Sequence, residues 1–257
     1  MNRAGIVLKT PSEVERLDRA NSVVHDALRA VTEAAAPGVS TGELDQLAED
    51  LIRSRGGVPA FKGYRGFPGT LCTSINEVIV HGIPSPKQVL QEGDILSVDC
   101  GVVLDGFVGD AAVTVPIGEV SEEAARLLDV TRQSLLEAVN AVRPGGRLGD
   151  VGAAVQRCAD AAGLGVVRDF VGHGIGRAMH EEPQVPNYGK PGHGLLLKPG
   201  LVIAIEPMIT LGSWGVAVDR DGWTARTEDG KLAAHFEYSV AVTNSEVGHR
   251  VLGVEEH

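Results

Sequence analysis

Residues 90–99 read LQEGDILSVD, and residues 197–206 read LKPGLVIAIE. Each stretch opens on leucine, turns at a glycine, and runs through apolar, β-prone residues to a carboxylate. That carboxylate is Asp99 in the first stretch and Glu206 in the second, and the two are offset by 107 positions. The same offset relates Pro37-Gly38-x-x-x-Gly42-Glu43 to Pro144-Gly145-x-x-x-Gly149-Asp150. Two matches at one offset indicate an internal duplication. The period is too long and the copies too few for a solenoid. The pattern therefore predicts an α+β fold in which two helix-helix-strands halves pack together with pseudo-two-fold symmetry. Symmetry would also bring Asp99 and Glu206 together in the middle of the molecule, where a buried carboxylate is costly unless paired or metal-bound.

Working outward, each half supplies its own helices. Thr10, Pro11 and Glu13 form a capping box and a first turn, and the helical pattern then runs to about Ala35. A second helix places Leu44, Leu47, Leu51 and Ile52 on one face and stops at Gly56-Gly57. In the second half, helices are expected from about Ser121 to Val142 and from about Gly149 to Ala162. Pro37-Gly38 and Pro144-Gly145 break the chain between the helices of each pair.

The bulk composition narrows the class. A chain of 257 residues with 43% hydrophobic and 22% charged residues has ordinary globular composition and enough length for a sizeable core. A net charge of -11 disfavours a nucleic-acid partner, which would require a basic stripe. Three widely spaced cysteines, Cys72, Cys100 and Cys158, argue against a disulfide framework and for a reducing compartment. No signal peptide or membrane span is visible. The expectation is a free cytoplasmic protein, with nothing demanding more than a monomer.

Chemistry concentrates around the acidic strand ends. Asp105-Gly106 is a strong two-residue hairpin signal. If that turn forms, Leu104 lies opposite Phe107, Asp99 lies opposite Ala112, and Asp110 is the diagonal neighbour of Asp99 on the same face. Glu206 in LVIAIEPM and Glu237 in AAHFEYSVAV also sit among apolar, β-prone residues. His173 in VGHGIGR adds one imidazole between glycines. The set Asp99, Asp110, His173, Glu206 and Glu237 contains no thiolate, so it suits Mn²⁺, Fe²⁺ or Co²⁺ better than structural zinc. Carboxylates of this kind can bridge two cations and activate a water. Competing motifs are weaker. His180-Glu181 begins like a zinc-protease motif, but Gln184 stands where a second histidine is needed. Arg177 replaces the last glycine of a dinucleotide loop at Gly172-x-Gly174. A thiol-hydrolase set of Cys72, His81 and Asp99 rests on spacing alone.

SINEVIVHGIP (residues 74–84), LSVDCGVVLDGFVGDAAVT, GHGIGRAMHEEP, AIEPMI and HFEYSVAVT follow one another in an order and spacing that resemble the methionine aminopeptidases, from about Thr10 to Gly253. The resemblance implies the pita-bread fold around a central antiparallel sheet, as one catalytic domain over residues 1–257 with halves of roughly 10–116 and 117–250. It implies that Asp99, Asp110, His173, Glu206 and Glu237 hold two divalent metal ions, and that Glu206 also shuttles a proton. By the same match His81 and His180 contact the substrate around the scissile amide. Phe61, Tyr64, Phe67, Cys72, Met179 and Trp223 match the methionine pocket, where sulfur–aromatic contact favours methionine. The short interval between Glu206 and Glu237 resembles the type I, short bacterial form. Val108 and Cys100 depart from many members, although neither is a ligand position, and Phe61 replaces a smaller residue. The implied activity is removal of the first methionine from nascent polypeptides with a small second residue, by metal-activated hydroxide, near the ribosome. A proline-specific peptidase and a non-catalytic binding protein of the same fold remain the alternatives.

Overall fold

The computed structural model describes residues 5–254. Helix α1 (Pro11–Ala34) starts with the expected capping box: the Glu13 N–H donates to the Thr10 side chain, and the Thr10 N–H donates to the Glu13 carboxylate at 3.0 Å. Helix α2 covers Thr41–Ser54, α3 covers Glu122–Asn140, and α4 covers Leu148–Ala162. One expectation needs adjustment. α2 buries Thr41, Leu44, Ala48 and Ile52, whereas Leu47 is exposed and Leu51 half-buried. The buried stripe follows the i, i+4, i+8 line through Leu44, and the small Ala48 completes it, leaving Leu47 on its flank.

The duplication is written into the backbone. The Gly38 N–H donates to Leu90 O at 2.9 Å, and the Gly145 N–H donates to Leu197 O at 3.0 Å. Leu90 N–H to Val39 O and Leu197 N–H to Gly146 O are both 2.9 Å, as are Thr41 N–H to Gln88 O and Leu148 N–H to Leu195 O. Each pair of bonds is related by the sequence offset. In both halves, the loop before the second helix is laced to the turn that enters a sheet strand. The matched glycines are required by this lacing. A Cβ on Gly42 would stand 2.7 Å from Pro86 N, and one on Gly149 would stand 2.5 Å from Lys190 O.

Among the described residues, the main sheet has nine strands, all antiparallel where they pair. At its centre lie, in order, Ile95–Leu104, Phe107–Pro116, Glu237–Val242, Val202–Ile205 and Gly172–Gly174. The Asp105-Gly106 turn has φ 50° and 76°, the double positive φ that such a hairpin needs. Its register pairs Leu104 with Phe107 and Asp99 with Ala112, as predicted.

Alternation along these strands separates packing from chemistry. Leu96, Val98, Cys100, Val102 and Ala111 pack with α1 and α2, while Ile203, Ile205, Val240 and Val242 pack with α3 and α4. All four helices therefore cover one face of the sheet. Asp99, Asp110 and Glu237 occupy the other phase of the period-two repeat and point away from the helices. The two matched strands differ in where they end. The first strand runs on five residues past Asp99, but the second stops at Ile205, because Pro207 has no N–H for a ladder. No helix among the described residues is long and apolar enough to cross a membrane.

Gly42→Ala and Gly149→Ala should each destabilise the fold by about 1–3 kcal/mol, because the added methyl meets backbone that cannot swing aside. Urea midpoints measure this. An unchanged midpoint in both variants would show that the laced loops do not hold the helices to the sheet.

Candidate active site

The strand register sets the acidic residues in a row. Ala112 pairs with Asp99 on one side and Glu237 on the other. The Tyr238–Ile205 pair puts Glu237 against Glu206 one step further on. Asp110 lies two residues from Ala112, on the same face. His173 comes from the next strand, paired with Ala204 and diagonal to Glu206. Its Nε2 stands 3.7 Å from Asp110 Oδ2 and 3.6 Å from Glu206 Oε1. Potential ligand atoms of Asp110, His173 and Glu237 all fall within 4.8 Å of one another. Asp99 and Glu206 lie outside that tight triple and flank it.

The electrostatics of this row call for positive charge. Burial pushes the Asp99 carboxyl up to about 7. Asp110 is held well above the carboxylate range by burial, then by the charges of Asp99 and Glu206. Glu206 is raised by burial and Asp99, and Glu237 by burial and all three neighbours. Asp99 Oδ1, Asp110 Oδ1 and Glu237 Oε1 are buried without a hydrogen-bond partner. Orphaned carboxylate oxygens at this density are expected where a cation supplies the missing partner. Gly174 O lies 2.9 Å from His173 Nδ1 and accepts its proton, which leaves the Nε2 lone pair directed at the acids. Burial, then the neighbouring His180, pushes the His173 imidazole down to about 4, so it is a neutral donor. Oxygen-rich donors with one neutral imidazole fit divalent metal ions.

Two further histidines border the row. His81 is held at φ 62°. The next residue, Gly82, passes so close to the strand Leu71–Ile75 that a Cβ there would stand 2.1 Å from Thr73 O. Burial, then His180, pushes the His81 imidazole down to about 4. His180 is lowered by burial and by the charge of Arg65. Its Nδ1 is 2.9 Å from the Tyr64 hydroxyl, and its ring centre is 4.3 Å from that of His173.

A cavity of about 170 Å³ joins these groups to an apolar slot. Every residue singled out from the sequence lines it: Asp99, Asp110, His173, Glu206, Glu237, His81, His180, Phe61, Tyr64, Phe67, Cys72, Met179 and Trp223. Phe67 meets Trp223 edge-on, with ring centres 5.2 Å apart. Phe61 and Met179 lie over Gly101, where a Cβ would be 2.6 Å from Phe61 Cε1 and 3.0 Å from Met179 Cε. The thiol alternative fails here, because burial and the charges of Asp99 and Asp110 push the Cys72 thiol well up and keep it protonated. Glu181, the glutamate of the incomplete zinc motif, is engaged instead by Lys9 at 2.6 Å.

Sequence reasoning missed two residues. Arg65 also lines the cavity, and nothing in residue type or spacing pointed to it. His235 is buried with Nε2 unpartnered, 3.8 Å from Glu206 Oε2. Alternation counted back from Glu237 would have reached it.

The pattern of metallopeptidase family M24 matches residues 15–244. The chain belongs to that family. Its members are metallopeptidases, and the chain is a metal-dependent hydrolase. A methionine aminopeptidase of Clostridium acetobutylicum is 50% identical over 240 residues, which is 93% of this chain and 96% of that protein. One from Escherichia coli is 40% identical over 241 residues, 93% of this chain and 91% of that protein. The crystal structure of methionine aminopeptidase from Thermotoga maritima superposes with a TM-score of 0.95 at 45% identity, covering 98% of this chain and 100% of that one. Prolidase from Pyrococcus furiosus, at 22% identity and a TM-score of 0.77, covers 98% of this chain and 66% of its own, and shares the fold. The chain thus has the pita-bread fold of these enzymes.

The raised carboxyl groups give the metal-free protein a distinctive stability profile. A carboxyl whose folded pKa is raised binds its proton more tightly when folded, so its contribution is full at low pH and is lost as pH rises through the folded value. The lowered histidines act only below their unfolded pKa of about 6.5, where they destabilise the fold as pH falls. Between about pH 6.5 and 8 the carboxylates act alone. The thermal midpoint of chelator-treated protein should therefore fall over that range. Added Mn²⁺ should stabilise most at the upper end, because metal binding and protons compete. A midpoint in chelator that is flat or rising from pH 6.5 to 8 would contradict the buried charge cluster.

Proposed function

We propose that the chain removes the N-terminal methionine from nascent polypeptides, preferring a small second residue. The observation that carries this reading is the continuity of one cavity, in which an apolar, sulfur- and aromatic-lined slot opens directly onto the acidic row. Such a site needs a substrate with an apolar first side chain and a free amino group within reach of carboxylates. Relatives named methionine aminopeptidase cover nearly the whole chain, which supports the same reading.

Asp99, Asp110, His173, Glu206 and Glu237 would hold two divalent ions, with Mn²⁺, Fe²⁺ and Co²⁺ the best suited to the donors. When bound, these ions lower the pKa of water and polarise a carbonyl. Glu206, a carboxylate beside the would-be metal site, would take a proton from water and return it to the leaving amine. His81 and His180 are neutral at working pH, so each can donate an N–H to the scissile amide without adding charge. Tyr64 fixes His180 through Nδ1, leaving Nε2 for substrate. Phe61, Met179, Phe67, Trp223 and Cys72 receive the methionine side chain and exclude water. A charged first residue would be desolvated there, and one methylene more or less is worth about 1–3 kcal/mol.

On this reading residues 1–257 act as one catalytic unit, with repeat halves of roughly 10–116 and 117–250. It works as a cytoplasmic monomer near the ribosome, where its substrates emerge, without membrane or direct nucleic-acid contacts.

Four measurements test the proposal. Asp110→Ala should lose at least about 100-fold in activity while far-UV circular dichroism stays native, since it removes one donor of the set. Chelation should abolish wild-type activity and Mn²⁺, Fe²⁺ or Co²⁺ restore it, whereas full activity after exhaustive chelation would defeat the metal reading. His180→Ala should retain wild-type metal content while turnover falls about 100-fold, and loss of a metal equivalent would make His180 a ligand instead. In a Met-Xaa-peptide series, turnover efficiency should fall between Xaa = Ala and Xaa = Leu. Equal rates, or a requirement for proline at the second position, would favour a general or proline-specific peptidase.

A further inference from the structure

Arg65 is the one side chain of fixed positive charge among the described residues that line the catalytic cavity. It is exposed, and it sits at φ 49°, ψ 24°. That left-handed conformation disfavours any residue with a Cβ, and glycine is its usual occupant. Glycines already flank the turn at Gly63 and Gly66, both with positive φ. The turn is closed by Gly63 N–H to Phe67 O at 2.8 Å and Phe67 N–H to Tyr64 O at 3.0 Å. An arginine kept at a strained position of a glycine-rich turn points to a use for its side chain.

Its surroundings define that use. The guanidinium lies 5.3 Å from the centre of the Tyr64 ring, and Tyr64 in turn bonds His180. Among the described residues it has no carboxylate partner. His81 and His180 are neutral, and the buried acids are matched by the cations they would hold. Arg65 is therefore left as the uncompensated charge at the lip, beside the histidine that would contact the scissile amide. Arg65 lines the cavity and its charge reaches His180, so a peptide whose scissile amide lies at His180 would run its next residues near the guanidinium. The protein as a whole carries -11, which repels acidic chains in general and makes a local cation decisive for them.

We propose that Arg65 selects polypeptides carrying an acidic side chain just beyond the small second residue. The proposal rests on the aminopeptidase reading above and names a substrate feature that the methionine slot does not. Guanidinium and carboxylate pair with matched geometry, and an exposed pair of this kind changes affinity by about 2- to 5-fold.

The test is a set of C-terminally amidated peptides, Met-Ala-Xaa-Ala-Ser with Xaa = Asp, Ala or Lys, assayed with the metal-loaded enzyme at low salt. Amidation removes the terminal carboxylate that would otherwise mask the effect. Wild type should show kcat/KM for Asp above Lys by about 2- to 5-fold, shrinking towards unity in about 0.5 M NaCl as screening shortens the reach of the charge. Arg65→Gln should level the series, and Arg65→Glu should invert it. If Arg65→Gln slows all three peptides equally and the Asp-to-Lys ratio survives, Arg65 only steadies Tyr64 and His180, and the proposal is overturned. An equal rate for all three in wild type also overturns it. Absence of methionine release from any of them defeats the aminopeptidase reading itself, which separates the two failures.

Discussion

Four carboxylates, Asp110 and Glu237 buried and Asp99 and Glu206 half-buried, converge on a single row of the sheet, and like charges in that position repel one another while losing their hydration. Neighbouring structure relieves this only in part. Asp99, Asp110 and Glu237 each keep an oxygen with no hydrogen-bond partner. The remaining strain is a requirement for cations, and the rest of the molecule is arranged so that the requirement persists. Helices close one face of the sheet with aliphatic side chains, and aromatic residues close the slot on the other. His173 is pinned by Gly174 O so that its free nitrogen turns inward. A wetter or looser fold would let the acids hydrate or spread apart, and the demand for metal would vanish.

Duplication supplies the geometry at low cost in sequence. Each half brings a pair of helices, a laced glycine loop and a strand, and the strand positions Asp99 or Glu206. The halves then specialise. The first extends its strand into a long hairpin that adds Asp110 beside Asp99. The second stops at Pro207 and gains Glu237 from a later strand. His173 has no counterpart among the first half's proposed donors, so the single imidazole makes a symmetric scaffold chemically one-sided.

Much of this was legible in the chain because it depends on local rules. Capping residues, Pro-Gly breaks and the Asp105-Gly106 turn act over a few residues, and they located the helices and the hairpin register correctly. The proposed donor set rests on acids placed among β-prone residues, where burial without purpose is costly. What escaped depends on three-dimensional neighbourhood. Leu47 was expected to be buried with Leu44, but Ala48 fills the stripe because a small side chain suits a close approach. Arg65 enters the cavity through a strained turn that residue type does not announce. His235 was hidden by a neighbouring Phe236 that interrupts the strand, although its spacing from Glu237 was available.

The wide separation of the acidic residues along the chain has a consequence for the protein's own synthesis. Asp99 and Asp110 leave the ribosome long before His173, and Glu237 emerges among the last strands. On the proposed donor set, no translation product that stops before Glu237 carries a complete metal centre, and neither does a fragment released by a cut between the halves. Hydrolytic capacity thus arises only with the finished fold. A peptidase built this way stays inert as a growing chain or as debris.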